Sequence, residues 1–240
     1  MLDFSSSTLW YLTRGSGLVL LVLLSACLVL GILGSGGWSS ARAPRFVTSG
    51  LHRNLALLTV ALLVVHVLTA ELDPYAPLGW LAVALPFFTP YRALWMGLGT
   101  LSTDLVVAVI ITSLLRARLG YRAWRAVHWL AYLSWPVALL HSLGTGTDTR
   151  VAWVLAIEIL CLAVVMVAVL WRLRRAELRS VQIKVAVAFL VVAFPLAVLL
   201  WVAVGPLRSG WARSAGTPTS LLSSSHASAA GALTTGGEFQ

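Results

Sequence analysis

Charged residues are scarce in this sequence: they make up 10% of its 240 residues, whereas 59% are hydrophobic. Soluble globular domains usually carry about 25% charged residues, so the composition excludes that class. The two cysteines, Cys27 and Cys161, lie in separate apolar runs, which excludes a disulfide framework. No glycine-rich turn follows a predicted strand, so the sequence gives no sign of a dinucleotide-binding domain.

Long hydrophobic runs are what the sequence has in place of charge. Six of them are long enough to cross a bilayer. Because the backbone in lipid must satisfy its own hydrogen bonds, these runs predict an all-α integral membrane protein, a six-transmembrane-helix bundle. The predicted spans are Gly17–Gly34, Leu51–Ala70, Met96–Leu115, Trp124–Leu143, Val151–Leu173 and Val181–Val204.

The net charge of +9 is sorted by loop. It does not form a basic surface with interleaved aromatic residues, so it does not indicate nucleic-acid binding. Three alternate loops hold most of it, as Arg42, Arg45 and Arg53, then Arg116, Arg118, Arg122 and Arg125, then Arg172, Arg174, Arg175, Arg179 and Lys184. The positive-inside rule places these loops in the cytoplasm. We therefore expect a multi-pass protein of the cell membrane with both termini extracytoplasmic.

Three regions lie outside the predicted six-helix domain of residues 17–204. Residues 1–16 are expected to form a short extracytoplasmic segment. Residues 71–95 contain four prolines and are expected to form an outer interfacial loop over the end of the bundle. Residues 205–240 are rich in Ser, Ala, Gly and Thr, which predicts a flexible extracytoplasmic tail or linker.

Histidines are prominent inside two of the spans, where ionisable residues are rare and usually functional. His52 and His66 lie 14 residues apart in the second span, and His128 and His141 lie 13 apart in the fourth. At about 1.5 Å per residue, each pair is separated by roughly 20 Å along its helix. Side by side, the helices would place His52 with His128 near the cytoplasmic, or inner, face. His66 would then lie with His141 near the outer face.

Three explanations compete for these four histidines. A non-haem metal needs ligands that converge on one point, and residues roughly 20 Å apart on one helix cannot converge. Unrelated hydrogen bonds to neighbouring helices would explain one histidine more readily than four at two matched levels. Two bis-histidine haems would use all four, because neutral imidazole is an axial ligand of haem iron. We therefore expect two haem b groups between the second and fourth helices.

Helical phase fits one histidine pair better than the other. At about 100° per residue, a 14-residue step returns within roughly 40° of the starting face, so His52 and His66 share a face. A 13-residue step ends about 140° away on an ideal helix. Pro136 lies between His128 and His141, and a proline bends or rewinds a helix. We infer that this distortion, with helix tilt, brings His141 toward the outer haem.

Three arginines and a tryptophan are further candidates for cofactor contacts. Arg14 at the outer level, and Arg53 and Arg125 at the inner level, could each bind a haem propionate. Each could equally be an ordinary arginine at the end of a membrane helix. Trp135 is expected at mid-membrane between the haems, where it would serve in packing or help electrons to cross.

Two carboxylates, Asp104 and Glu158, lie inside the third and fifth spans. An intramembrane carboxylate normally faces a partner or a polar cavity. Pairing with Arg14, a bond to a histidine ring nitrogen and passage of a proton all remain open for these two residues.

The histidine pattern, with the runs GLHRNLALL and LGYRAWRAVHWLAY, resembles the ferric reductase-like transmembrane domain superfamily. That group includes NADPH oxidases, eukaryotic ferric reductases, STEAP metalloreductases and bacterial MsrQ-type haem proteins, and the two runs look most similar to small actinobacterial members. The resemblance covers about residues 10–205. It implies that His52 and His128 ligate the iron of the inner haem, and that His66 and His141 ligate that of the outer haem. NADPH oxidases append a FAD/NADPH module that is absent here, so a flavin-containing partner protein is the implied alternative.

These features predict transmembrane electron transfer through two b haems, with no residue assigned a catalytic role. The protein would be an oxidoreductase or the electron-transfer subunit of one, and ferric iron, a flavin protein, quinone or oxygen could be its terminal substrate. One alternative is a quinol-linked cytochrome b subunit of a larger oxidoreductase. An alternative of another class is a haem-free proton-coupled transporter or channel that uses the histidines and carboxylates as a relay.

Overall fold

The computed structural model describes residues 6–37, 44–76, 78–146, 148–175 and 181–222. The first five residues of the predicted N-terminal segment and residues 223–240 of the predicted tail lie outside the described residues, as do Arg42 and Arg179. The described part of the chain is helical and contains no strand. The all-α prediction is therefore confirmed.

Nine α-helices and one 3₁₀ helix account for the described secondary structure. They are α1 Ser6–Ser35, α2 Arg45–Leu72, α3 Leu81–Ala84, α4 Ala93–Leu114, α5 Arg116–His128, α6 Leu130–Thr145, the 3₁₀ helix Asp148–Arg150, α7 Ala152–Arg175, α8 Val181–Val204 and α9 Trp211–Ser214. The first helix begins at Ser6 rather than at Gly17. Much of the predicted N-terminal segment is thus the first part of a membrane helix.

Five helices are long and apolar enough to cross a membrane, namely α1, α2, α4, α7 and α8. Helices of this length and composition are the structures that a bilayer accepts. The chain is therefore a multi-pass membrane protein.

The fourth predicted span, Trp124–Leu143, is not a single helix. It is divided at Trp129 between the end of α5 and the 16-residue α6. The N–H of Tyr132 donates to Trp129 O at 3.0 Å, which is the tighter i→i+3 bond of a 3₁₀ turn. Pro136 was expected to distort this span, and it lies inside α6. Trp129 keeps right-handed helical φ and ψ (−65°, −19°), so the turn tightens the helical path next to His128, and the distortion expected at the proline stays a prediction.

The bundle has its core where α1, α6, α7 and α8 meet, and Leu28, Trp135, Val165 and Val202 are buried there. Helix α2 packs along α1, and α4 packs along α6. Among the described residues, α2 and α6 share no comparable interface. A gap therefore separates α2 from α6, and α1 and α4 flank it.

Hydrogen bonds between helices support this packing, because lipid supplies no hydrophobic driving force between membrane helices. Ser102 Oγ on α4 donates to Ser134 O on α6 at 3.0 Å. Trp135 Nε1 on α6 donates to Ser25 Oγ on α1 at 2.8 Å. Bonds of this kind contribute about 0.6 kcal/mol each on average, so they fix the geometry more than they stabilise the bundle.

The segment after α8 folds back onto the bundle. Trp211 Nε1 donates to Gly144 O at 3.1 Å, and the backbone N–H of the buried Arg92 donates to Gly216 O at 3.1 Å. The structure thus differs from the flexible tail predicted from residue 205, since residues 205–222 are packed in place. Composition suggested a linker because it does not reveal these long-range bonds.

Candidate functional site

The structure brings the four histidines together in the two predicted pairs. The ring centroids of His52 and His128 are 6.5 Å apart, at an interplanar angle of 70°. His66 and His141 line the same cavity. In keeping with the membrane orientation predicted from the sequence, we call the end of the bundle with His52 and His128 the inner end. The end with His66 and His141 is the outer end.

Backbone carbonyls hold three of the four imidazoles through Nδ1. The acceptors are Cys27 O for His52 at 3.0 Å, Thr13 O for His66 at 3.0 Å and Trp95 O for His141 at 2.8 Å. A carbonyl only accepts, so Nδ1 carries the proton in each ring and Nε2 keeps its lone pair. Metal-ligating histidines are usually held in this state. Our sequence reasoning missed the acceptors, because a residue of any type offers a carbonyl.

His128 differs from the other three. Its Nδ1 is buried and has no hydrogen-bond partner among the described residues. Its ring stacks on that of Trp124, with 4.9 Å between the centroids. Arg53 and Arg125, the predicted propionate partners at this end, have exposed side chains. Stacking rather than hydrogen bonding therefore orients His128.

A cavity of about 290 Å³ lies at the outer end, with walls that are mostly apolar. Beside the two histidines, Ala82 of α3 and Tyr91 line it, so part of the 71–95 segment faces the cavity. Burial raises the pKa of the Tyr91 hydroxyl above its ordinary value, against the opposing effect of the Arg92 guanidinium. The phenol thus stays protonated at neutral pH and can donate a hydrogen bond into the cavity.

Arg14 also lines this cavity and forms an ion pair with Asp148. Its guanidinium carbon lies 3.9 Å from the centroid of the Trp10 ring, a cation–π contact. Both charged groups are partly exposed, so the pair contributes at most about 1 kcal/mol to stability. The contact places a guanidinium against a carboxylate, which is the chemistry that would bind a propionate.

The two intramembrane carboxylates are placed differently. Glu158 is 2% exposed and lines the cavity, and its Oε1 accepts a hydrogen bond of 2.6 Å from Ser142 Oγ. Its Oε2 is buried and has no partner among the described residues. Asp104 is half-buried on α4 and does not line the cavity. Of the two, only Glu158 therefore joins the candidate site.

Trp135 lies in the core of the bundle, 1% exposed, with its indole N–H bonded to Ser25. Thr59, which occupies the matching position on α2, lines the cavity, and its Oγ1 lies 3.8 Å from Cys27 Sγ. These contacts give Trp135 a packing role between α1 and α6. Its predicted place between two haems stays a prediction.

The inner histidine pair fits what a haem iron requires. An imidazole nitrogen binds a metal at about 2 Å, so two axial rings need centroids roughly 6 Å apart, and the inner pair has 6.5 Å. A haem needs only two such ligands from the protein. Within the described ranges there is no cluster of three or more His, Cys, Asp or Glu residues that could hold a bare metal ion. The arrangement therefore favours a macrocyclic cofactor over a protein-only metal site.

Comparison with known proteins agrees with the resemblance seen in the sequence. The family model described as "Ferric reductase like transmembrane component" matches residues 16–139, just over half of the chain. The matched region includes His52, His66 and His128 and ends shortly before His141. No curated protein and no solved structure matches the chain. The chain therefore belongs to the ferric reductase-like transmembrane family, whose domain indicates electron transfer across a membrane.

Proposed function

We propose that this protein carries single electrons across the cell membrane through two haem b groups, the inner one between α2 and α5 and the outer one between α2 and α6. The observation that carries the proposal is that the four histidines form two pairs, one at the inner end and one at the outer end of the bundle. Three of the four rings have Nδ1 committed to a carbonyl and Nε2 left as the metal-binding atom. Membership of the family supports electron transfer rather than transport of a solute.

Each pair of histidines would hold one haem. His52 and His128 would ligate the inner iron, and His66 and His141 the outer iron. When bound, haem supplies one-electron chemistry through the ferric and ferrous states of its iron. Arg14 would bind a propionate at the outer level, in competition with Asp148, and would thereby orient the outer macrocycle.

The protein surrounding the haems would supply distance and insulation. The 14-residue spacing of His52 and His66 sets a separation of roughly 20 Å along α2. The mostly apolar walls of the outer cavity would surround a bound haem with a low-dielectric environment, which strengthens electrostatic interactions there. Trp135 and its neighbours fill the bundle beside the gap with buried, mostly apolar side chains.

The topology follows from the proposed fourth span and from the arginine-rich loops. The helical stretch from α5 into α6 would be that span, giving six crossings in all. The loops rich in arginine would face the cytoplasm, and Ser6 and the segment after α8 would face outward. A flavin-containing or other redox partner would exchange electrons with one end.

Spectroscopy of the purified protein tests this proposal directly. We expect a Soret band that shifts on addition of dithionite, two haems per chain by the pyridine haemochrome assay, and two midpoint potentials in a redox titration. A purified, folded protein without a dithionite-responsive Soret band would exclude the proposal. It would favour the proton-coupled transporter instead.

A second candidate function is oxidation of a quinol at the outer end by a cytochrome b subunit. The observation that favours it is the carboxyl group of Glu158, a residue that lines the cavity and whose buried Oε2 has no hydrogen-bond partner among the described residues. Duroquinol should then reduce the haems, and Glu158→Gln should slow this reduction while Asp104→Asn should not. Equal rates in the three proteins would remove this candidate.

A further inference from the structure

A repeated register links the carbonyls that hold the histidines to three glycines. The acceptors on α1 are Thr13 O and Cys27 O, and glycines follow each of them four residues later, at Gly17 and Gly31. On α4 the acceptor is Trp95 O, and the residue four positions later is Gly99. The same carbonyl-then-glycine arrangement thus serves three histidines on two different helices.

Helix geometry explains why the glycine must stand four residues after the acceptor. A helical side chain leans toward the N-terminus and covers the turn before its own Cα. The carbonyl at position i is therefore covered by the side chain at position i+4. Where that residue is glycine, an outside donor can reach a carbonyl that already accepts the helical N–H bond. The missing Cβ atom opens the acceptor to the imidazole.

The space that a Cβ would need is occupied by the histidine rings. A Cβ on Gly17 would lie 2.9 Å from His66 Cε1, and one on Gly99 would lie 2.5 Å from His141 Cε1. A Cβ on Gly31 would lie 3.6 Å from His52 Cε1, an ordinary van der Waals distance. Gly15 and Gly34, on the same helix α1, would meet nothing within 4 Å. Among the glycines of α1, contact with a histidine ring within 4 Å is therefore confined to Gly17 and Gly31.

The spacing on α1 copies the spacing on α2. Gly17 and Gly31 are 14 residues apart, as are His52 and His66. Because α1 and α2 run in opposite directions, Gly31 faces His52 and Gly17 faces His66. Helix α1 contributes no histidine, yet it contacts the inner histidine His52 and the outer histidine His66. Helix α4 contacts the outer histidine His141.

We propose that Gly17, Gly31 and Gly99 are positioning residues for the haem ligands, which makes α1 and α4 part of the redox centres. Each glycine admits the imidazole to a backbone carbonyl, and that bond fixes the ring, holds the proton on Nδ1 and aims Nε2 at the iron. A hydrogen bond at Nδ1 also raises the basicity of the ligand and so tunes the potential of the iron. This inference rests on the proposed function.

Alanine substitution tests the proposal with matched controls on the same helix. In the full chain purified in detergent, Gly17→Ala and Gly99→Ala should change only the outer haem, either by loss of about one haem per chain or by a changed low-spin ferric EPR signal and midpoint potential. Gly31→Ala should have a much smaller effect on the inner haem. Gly15→Ala and Gly34→Ala should match the unsubstituted protein in all three measurements.

A second pair of variants covers the case in which Gly17→Ala and Gly99→Ala give no folded protein. Gly31→Val adds bulk beside His52, whereas Gly34→Val adds the same bulk in open space. Only Gly31→Val should alter the inner haem signal. If the glycine variants fold with both haems and unchanged EPR signals and potentials, the positioning role is overturned while the proposed function stands. Absence of haem from the unsubstituted protein would instead overturn the proposed function.

Discussion

The two ends of the bundle hold their histidines in different ways. At the outer end, His66 and His141 both donate Nδ1–H to a carbonyl and both line a cavity. At the inner end, His52 has such a bond, but His128 has a stacked tryptophan and an unbonded Nδ1. Hydrogen-bonded partners of metal ligands typically raise metal affinity by about 10–100-fold. Two pairs of histidines therefore need not bind haem equally well, and the outer haem should be the more tightly held.

The largest expected effect is the loss of a single haem when a ligand is removed. His66→Ala or His141→Ala should reduce the haem content from two per chain to about one, with loss of one midpoint potential, because a haem with one axial ligand is poorly retained. His52→Ala or His128→Ala should remove the other potential. His226→Ala is the matched control and should retain both haems. Loss of both haems from each single variant would show that the two ends are not independent sites.

A smaller effect should separate the two ends in the intact protein. When excess apomyoglobin is added as a haem scavenger, the Soret change should occur in two phases, and the inner haem should leave first. The rates should differ by about 10–100-fold, since His128 lacks the bond that the other three ligands make. The single-haem proteins His66→Ala and His52→Ala assign the phases. Faster loss of the outer haem would reverse the comparison.

The two ends of the bundle differ in how much of each could be predicted from the sequence. The apolar runs and the histidine spacings predicted the helical membrane fold and both histidine pairs, because membrane span length and helical period are properties of residue type. The 3₁₀ turn at Trp129 was not predicted, because residue type does not reveal this local backbone bond, and the distortion expected at Pro136 stays a prediction. The carbonyl acceptors could not be predicted, because every residue type has a backbone carbonyl. Gly17 and Gly31, spaced like His52 and His66, were the signal that could have revealed two of them.

A charge pair at the outer end allows a test in which two variants shift a potential in opposite directions. A positive charge near the iron favours the reduced state, so Arg14→Gln should lower the outer midpoint potential, and Asp148→Asn should raise it. Partial exposure screens both effects, so the shifts should shrink at high salt. The inner potential should remain constant in both variants. Arg150→Gln, an exposed neighbour of Asp148 in the 3₁₀ helix, is the control.

The smallest effect is expected midway between the ends, where Trp135 contacts α1. Trp135→Phe keeps an aromatic ring in the core but removes the bond to Ser25 and some buried volume, so the free energy of unfolding should fall by more than about 0.5–1.5 kcal/mol, the usual net worth of a hydrogen bond. Ser25→Ala removes the same bond from the other side, and the double variant should cost little more than Trp135→Phe alone. Because this contact belongs to neither end, both midpoint potentials and the rate of electron transfer between the haems should be unchanged. A slower rate in Trp135→Phe alone, with Ser25→Ala at the original rate, would mean that the indole ring itself conducts electrons. The centre of the bundle would then take part in electron transfer and would not serve only to pack the helices between the two haem sites.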